Sequence, residues 1–345
     1  MMKAVLATEY GSPDILQIAY VPKPTIRKNE VLIRVRTATV SSGDSRVRSL
    51  TVPTGFKLIT RLLFGIMRPR QPILGTELAG EVVAAGEDVK RFGVGDPVFA
   101  YSDGKMGAHA EYVAMPEEGT LAHKPPNLTY EEAAALSFGG VTALRFIQWG
   151  SLQEGETVLV NGASGSVGTA AVQLARHFGA SVTGVCSTGN VALVRSLGAH
   201  RVIDYTEEDV LESGNLYDVI VDTAGTLPYS RSKHLLADGG RLLLVLGSLP
   251  DMLRAPWVAL TSTKRIVAGA AAGRREDVEF LAELAESGAF TPVIDRSYPL
   301  EQIADAYRYV EKGHKKGNVV LTVASTNGSR PNTARQGNER PAQIH

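Results

Sequence analysis

An α/β fold, with a doubly wound parallel sheet and a second, β-rich domain, is predicted by three observations. The segment Glu156-Thr-Val-Leu-Val-Asn-Gly-Ala-Ser-Gly-Ser-Val-Gly168 runs from an apolar strand through a glycine-rich turn into an amphipathic helix reaching Arg176. Around it, apolar runs at 158–161, 182–186, 201–204, 218–222, 240–246 and 265–268 alternate with helical patterns, as parallel strands joined by helical crossovers do. Residues 1–124 instead carry short β-type runs (Val31 to Arg36, Gly80 to Ala85, Pro97 to Ala100, Ala110 to Ala114), separated by turns such as Gly93-Val-Gly-Asp-Pro97.

The boundary between the two patterns is Pro125-Pro126-Asn-Leu-Thr129. Thr129 is placed to cap a helix whose first turn holds Glu131 and Glu132. After the sheet come helices over Glu276 to Ser287 and Leu300 to Glu311, then a strand at Asn318 to Val323 expected to return to the first domain. This gives a β-rich catalytic domain over 1–124 plus 290–323 and a dinucleotide-binding domain over 125–289. Residues 324–345 hold almost no apolar side chains and are expected to form a disordered tail.

The glycine turn carries most of the functional information. A helix start offers unpaired N–H groups and the positive end of a dipole, and glycines let a pyrophosphate approach the backbone. Gly162, Ser164, Gly165, Ser166, Val167 and Gly168 are therefore expected to cradle a dinucleotide. The spacing is GxxGxxG, with Ala163 and Ser164 between the first two glycines, rather than the usual Rossmann GxGxxG. The alternative is an ordinary strand-to-helix turn.

The whole chain narrows the classes. At 345 residues it is long enough for two cores, and 36 basic residues balance 36 acidic ones. No global field draws it to nucleic acid or to an acidic membrane. The single cysteine, Cys186, excludes an internal disulfide and a Cys-rich zinc site. Residues 1–10 lack the apolar core of a signal peptide, and no run suffices to span a bilayer. A cytoplasmic protein is expected. The segment Leu50 to Gln71 has apolar residues at helical spacing among Lys57, Arg61, Arg68 and Arg70; it reads as a helical excursion packed on its own domain, or else as a cleft lid or membrane-surface helix.

With these residues in view, the chain resembles the medium-chain dehydrogenase/reductase superfamily, and within it the zinc-free quinone oxidoreductase branch, from Met1 to about Val323. The resemblance rests on Gly75-Thr-Glu-Leu-Ala-Gly-Glu81, Gly93-Val-Gly-Asp-Pro-Val98 and Gly155 to Arg176, including Gln173. Ser166 stands where a glycine is usual and is expected to add a hydroxyl beside the phosphates. The resemblance implies a GroES-like catalytic domain beside a Rossmann domain. Where zinc branches carry Cys-x-x-Asp, Gly-His-Glu and a further Cys, this chain reads Ser41-Ser-Gly-Asp44, Gly75-Thr76-Glu77 and Ser137-Phe138. Neutral hydroxyls do not replace thiolate and imidazole, so no metal is expected.

The implied activity is NADPH-dependent hydride transfer to a small molecule, either a quinone or an α,β-unsaturated carbonyl. The second strand ends Cys186-Ser187-Thr188-Gly189-Asn190 with no carboxylate for a ribose 2′-OH, and Arg195 lies near in sequence. Tyr205 matches a tyrosine beside the adenosine phosphate in related reductases, while Asn190 stands in place of a frequent lysine. NADPH is expected over NADH; the alternative is that Ser187 and Thr188 only end the strand and either cofactor binds. Leu246, Gly247 and the segment Asp222 to Gly225 end later strands and are expected ribose or nicotinamide contacts, and Thr142 matches a position near the nicotinamide. Ser41 and Asp44 are the candidates for positioning or proton relay, with Asp44 as a helix cap the competing reading. Glu77 and Tyr101 are weaker candidates. The resemblance also implies a homodimer through the edge strand near Arg265 to Ala268. Competing functions are a metal-free alcohol or aldehyde oxidoreductase, and a non-catalytic NADPH-binding sensor.

Overall fold

The computed structural model describes residues 1–323; the expected tail, 324–345, lies outside them. The chain begins with β1 (Met2–Ala7), β2 (Leu16–Val21), β3 (Glu30–Thr39), α1 (Ser42–Ser49) and α2 (Lys57–Phe64). It continues through β4 (Glu77–Ala85), β5 (Pro97–Tyr101), β6 (Tyr112–Pro116) and β7 (Leu121–His123). Helices α3 (Tyr130–Ala134) and α4 (Ser137–Gly150) lead into β8 (Thr157–Asn161), α5 (Ser166–His177), β9 (Ser181–Cys186), α6 (Val191–Ser196) and β10 (Arg201–Asp204). Then come β11 (Tyr217–Asp222), α7 (Tyr229–Ser232), β12 (Leu236–Leu244), α8 (Leu249–Thr261) and β13 (Arg265–Ala268). The last elements are α9 (Arg275–Glu286), β14 (Ile294–Pro299), α10 (Ile303–Glu311) and β15 (Asn318–Thr322).

Strands β8 to β13 form one parallel sheet in the order β10-β9-β8-β11-β12-β13. Alternate residues feed two cores, so these strands read as unbroken apolar runs. Val158, Val160, Val219 and Val221 share one core with α4, α5 and α9, while Leu159, Ile220 and Leu242 fill the other face. The winding reverses between β8 and β11, and a ligand crevice in such a sheet opens at that point, beyond the C-terminal strand ends.

The second large sheet runs β14-β15-β3-β4-β5-β7, with β6 also paired to β3. Its core holds Val31, Ile33, Val35, Leu78, Val98 and Leu321. Strand β15 is antiparallel to β3, with Val320 opposite Thr39, which returns the end of the chain to the N-terminal sheet. Strand β14 carries no readable alternation because Asp295, Arg296 and Ser297 occupy it.

One expectation is overturned. Only Lys57–Phe64 of the 50–71 segment is helical; Phe64 packs against Ala7, Leu74 and Met106, but the leucine row does not pack on the domain. Thr60 faces inward, whereas Leu58 is 69% exposed and Leu63 is 65% exposed. The leucines fall on the row opposite Thr60 and Phe64, and helical spacing cannot say which row faces in.

The two sheets meet where β15 begins. Gly317 N–H donates to the Ser164 carbonyl at 2.8 Å, with a parallel bridge between Gly165 and Gly317. Ser166 Oγ donates to Asn318 Oδ1 at 2.6 Å, and Asn318 Nδ2 donates to the Ala135 carbonyl at 3.2 Å. Gly317 sits at φ +55°, and a Cβ there would lie 2.2 Å from the Val293 carbonyl oxygen. Gly313, at φ +76°, has nothing within 4 Å of such a Cβ. Gly313→Ala should therefore cost only the backbone term, about 1 kcal/mol, whereas Gly317→Ala should cost about 3 kcal/mol or more because the clasp must shift. Denaturant unfolding of both variants checks this; equal losses would contradict it.

Candidate active site

A groove of about 340 Å³ opens at the switch point, over the turn that follows β8. Gly168 makes that turn possible, because a Cβ there would lie 2.0 Å from the Gly162 carbonyl oxygen. Helix α5 starts at Ser166 with extended Gly165 as its N-cap and no side-chain cap, so its first N–H groups have no capping side chain. Of the predicted cofactor contacts, Gly162, Ser164, Gly165, Ser166, Val167, Ser187, Asn190, Tyr205 and Leu246 line the groove together.

Four do not line it. Thr142 is buried within α4, and Gly168 supports the turn from behind. Thr188 Oγ1 pairs with Thr206 Oγ1 at 2.8 Å, and Gly247 lies against Ala268. Arg195 is exposed on α6 and is not part of the lining either. Asp222 is turned to structure: it accepts the N–H groups of Gly225 and Leu227, each at 2.9 Å, and the Asn161 amide at 2.8 Å. The Ser166 hydroxyl points to Asn318, which claims the extra group expected beside the phosphates. Asn190 Nδ2 reaches Ser164 Oγ at 3.2 Å and Ser187 Oγ at 3.1 Å, joining the end of β9 to the turn.

The opposite wall comes from the β-rich half: Ser42 and Arg46 of α1, then Gly313, His314 and Lys315 before β15. Every charged side chain lining the groove belongs to this wall, and the wall made by β8 to β12 carries none. Burial pushes the Lys315 ammonium down to about 8, with Glu77 and Asp295 partly offsetting it and Arg46 adding to it. Burial also lowers the Arg46 guanidinium. Neither is in an ion pair among the described residues, and the Lys315 ammonium donates to the Gly317 carbonyl. Sequence reasoning missed this wall, although the run Lys312-Gly-His-Lys-Lys-Gly317 stood between a helix and a strand.

The remaining candidates gather beside it. Ser41 and Asp44 form a capping box on α1: Ser41 Oγ donates to Asp44 Oδ2 at 2.7 Å and accepts from the Asp44 N–H at 3.0 Å. Asp44 is fully buried, with Oδ1 lacking a partner. Glu77 accepts the Phe138 N–H at 2.6 Å, at the start of α4, and a hydrogen bond from the Thr39 hydroxyl. Burial raises its carboxyl to about 7 despite both donors. The Thr76 hydroxyl is buried without a partner. Tyr101 packs against Phe138 with ring centres 6.3 Å apart. Cys186 lines the groove, and burial lifts its thiol to about 11, away from the thiolate form.

Comparison with known proteins agrees with this architecture. The family described as alcohol dehydrogenase GroES-like domain matches residues 27–126, and that described as zinc-binding dehydrogenase matches 197–321. Across 93% of this chain and 79% of the relative, the sequence is 33% identical to the 2-methylene-furan-3-one reductase of Solanum lycopersicum. It is 32% identical, with the same coverages, to the chloroplastic NADPH-dependent alkenal/one oxidoreductase of Arabidopsis thaliana. The solved structure of the quinone oxidoreductase from Coxiella burnetii superposes with a TM-score of 0.82 at 28% identity, covering 94% of this chain and 99% of that one. The chain belongs to the medium-chain dehydrogenase/reductase superfamily. Within it, it falls on the quinone-oxidoreductase-like branch.

The position of Glu77 gives a stability test. Its folded pKa, about 7, lies above the ordinary carboxylate value of 4.5, so the folded state binds the extra proton between those values. Its contribution is full at low pH and declines as pH rises from about 4.5 through 7. Glu77→Gln should therefore gain on the wild type by up to about 3 kcal/mol between pH 5 and pH 8. Unfolding curves at both pH values check this, and a constant gap would contradict it.

Proposed function

We propose that this chain is an NADPH-dependent, zinc-independent oxidoreductase that passes hydride to a quinone or an α,β-unsaturated carbonyl. One observation carries the reading: an uncharged glycine turn at the switch point faces Arg46, His314 and Lys315 across a single groove. Phosphates suit that arrangement, taking backbone N–H groups from one wall and counter-charge from the other. We divide the chain accordingly into a catalytic part, 1–124 plus 290–323, and a dinucleotide-binding part, 125–289.

The donors do not suit zinc. Ser41 is committed to its cap, Thr76 offers a neutral hydroxyl, and Phe138 offers carbon. Among the described residues, no group of three or more His, Cys, Asp or Glu is placed to hold a metal. Such a site lacks the Lewis acid that stabilises an alkoxide, which disfavours alcohol oxidation. Reduction of a conjugated carbonyl places negative charge on an oxygen that needs only hydrogen bonds or a nearby cation. The names of the tomato and Arabidopsis relatives point to the same substrate class.

When bound, NADPH supplies the hydride, and a proton from solvent completes the two-electron reduction. The protein's own residues do the rest. Gly162 to Val167 position the phosphates, and Tyr205 and Ser187 bound the adenosine end. Ser41 and Asp44 act through the cap that fixes α1, and so place Arg46 on the groove. Arg46 and Lys315 supply the positive field. We also propose a cytoplasmic location and a homodimer. The dimer is supported by the open edge of β13 and by the exposed Leu253, Trp257 and Leu260 of α8.

Two measurements test this reading. NADPH oxidation with 1,4-benzoquinone and with an enone should persist in EDTA, and protein free of zinc should turn over fully; loss in EDTA with recovery on zinc would overturn it. Lys315 is charged below about 8 and neutral above it. NADPH affinity should fall as pH rises through that value, and Lys315→Met should be weaker at neutral pH and lack this decline. A pH-independent wild-type affinity would remove Lys315 from the binding account.

A further inference from the structure

The adenosine end of the groove has no cation on its own side. Ser187, Asn190 and Tyr205 bound it there, all uncharged, and Asn190 spends its amide on Ser164 and Ser187. Arg195, the near cation in sequence, is exposed on α6 outside the groove lining. Across the gap, Lys316 is also outside the groove lining, but its side chain reaches the rim: Nζ lies 3.4 Å from the Gly189 carbonyl, in the turn after β9 between the lining residues Ser187 and Asn190.

The backbone around Lys316 is fixed. Its N–H donates to Asp295 Oδ2 at 3.0 Å, and Tyr309 OH holds that carboxylate oxygen at 2.6 Å. The next residue, Gly317, is clasped to Ser164 at 2.8 Å. The side chain is exposed, and its one acceptor among the described residues is a neutral carbonyl at the limit of hydrogen-bond distance. An anion arriving between Ser187 and Tyr205 would displace that weak contact at little cost.

We propose that Lys316 is the specificity-determining cation for the adenosine 2′-phosphate, supplied to the Rossmann half by the other half of the protein. This rests on the NADPH reading above. A phosphate monoester carries close to two charges at neutral pH, and an ammonium is its natural partner. NADH, with a neutral 2′-hydroxyl there, offers Lys316 no charge to pair with. The preference between the two nucleotides therefore resides on the loop before β15, rather than on the strand end where such selection usually sits.

The test is fluorescence titration of the full-length wild type, Lys316→Ala and Lys316→Arg with NADPH and NADH, plus competition by 2′,5′-ADP. Lys316→Ala should weaken NADPH and 2′,5′-ADP by about 10- to 100-fold while NADH changes less than about twofold. Lys316→Arg should retain most of the NADPH affinity. Unchanged NADH binding shows that the variant is folded. Equal losses for both nucleotides would make Lys316 a tether between the halves and overturn the proposal, as would no loss for either. A wild type that binds NADH as tightly as NADPH overturns the proposal and leaves a dinucleotide site standing. Binding of neither removes the NADPH reading and the proposal with it.

Discussion

The clasp between Gly317 and the turn after β8 is the contact on which the rest of the site depends. It is small, one hydrogen bond from Gly317 to Ser164 with the Ser166–Asn318 pair beside it, but it lies at the mouth of the switch-point crevice. A parallel sheet alone would present the glycine turn to open solvent. The clasp draws Gly313 to Lys316 over that turn, and a surface becomes a groove with two unlike walls. The tight backbone at Gly317 explains why the join occurs at this residue: only a residue without Cβ fits between Ser164 and Val293.

Division of labour between the walls follows from this join. The sheet side contributes backbone donors and hydroxyls, and the β-rich side contributes all the lining charge. At the positions that hold metal ligands in zinc branches, polar side chains have taken up structural work. Ser41 and Asp44 cap α1, while Glu77 accepts the Phe138 N–H in the first turn of α4. Helix α1, fixed by its cap, carries Arg46 to the groove lining, while Phe138 packs beside Tyr101.

Much of the fold was legible because burial on both sheet faces leaves unbroken apolar runs, and the strands β8 to β11 and β13 fall within a residue or so of expectation. The glycine turn was legible because its residues must serve backbone geometry whatever the context. What escaped was non-local. The β14 strand alternates too weakly to read, and the outward row of α2 shares its period with an inward one. The cationic wall depends on β15 pairing with β3, a contact across almost the whole chain, so nothing near the glycine turn announces Lys315 or Lys316. Thr188, Gly247 and Arg195 lie outside the groove lining for a related reason: proximity in sequence to a strand end does not tell which way the chain presents a residue.

The most direct test of a groove built from both halves is hydrogen–deuterium exchange of the full chain with and without NADPH. A shared site predicts that protection rises together in peptides covering the turn near Gly162 to Val167 and the loop before β15. Protection confined to the glycine turn, with the loop unchanged, would mean that the sheet binds the nucleotide alone, and the account of a two-walled site would be wrong.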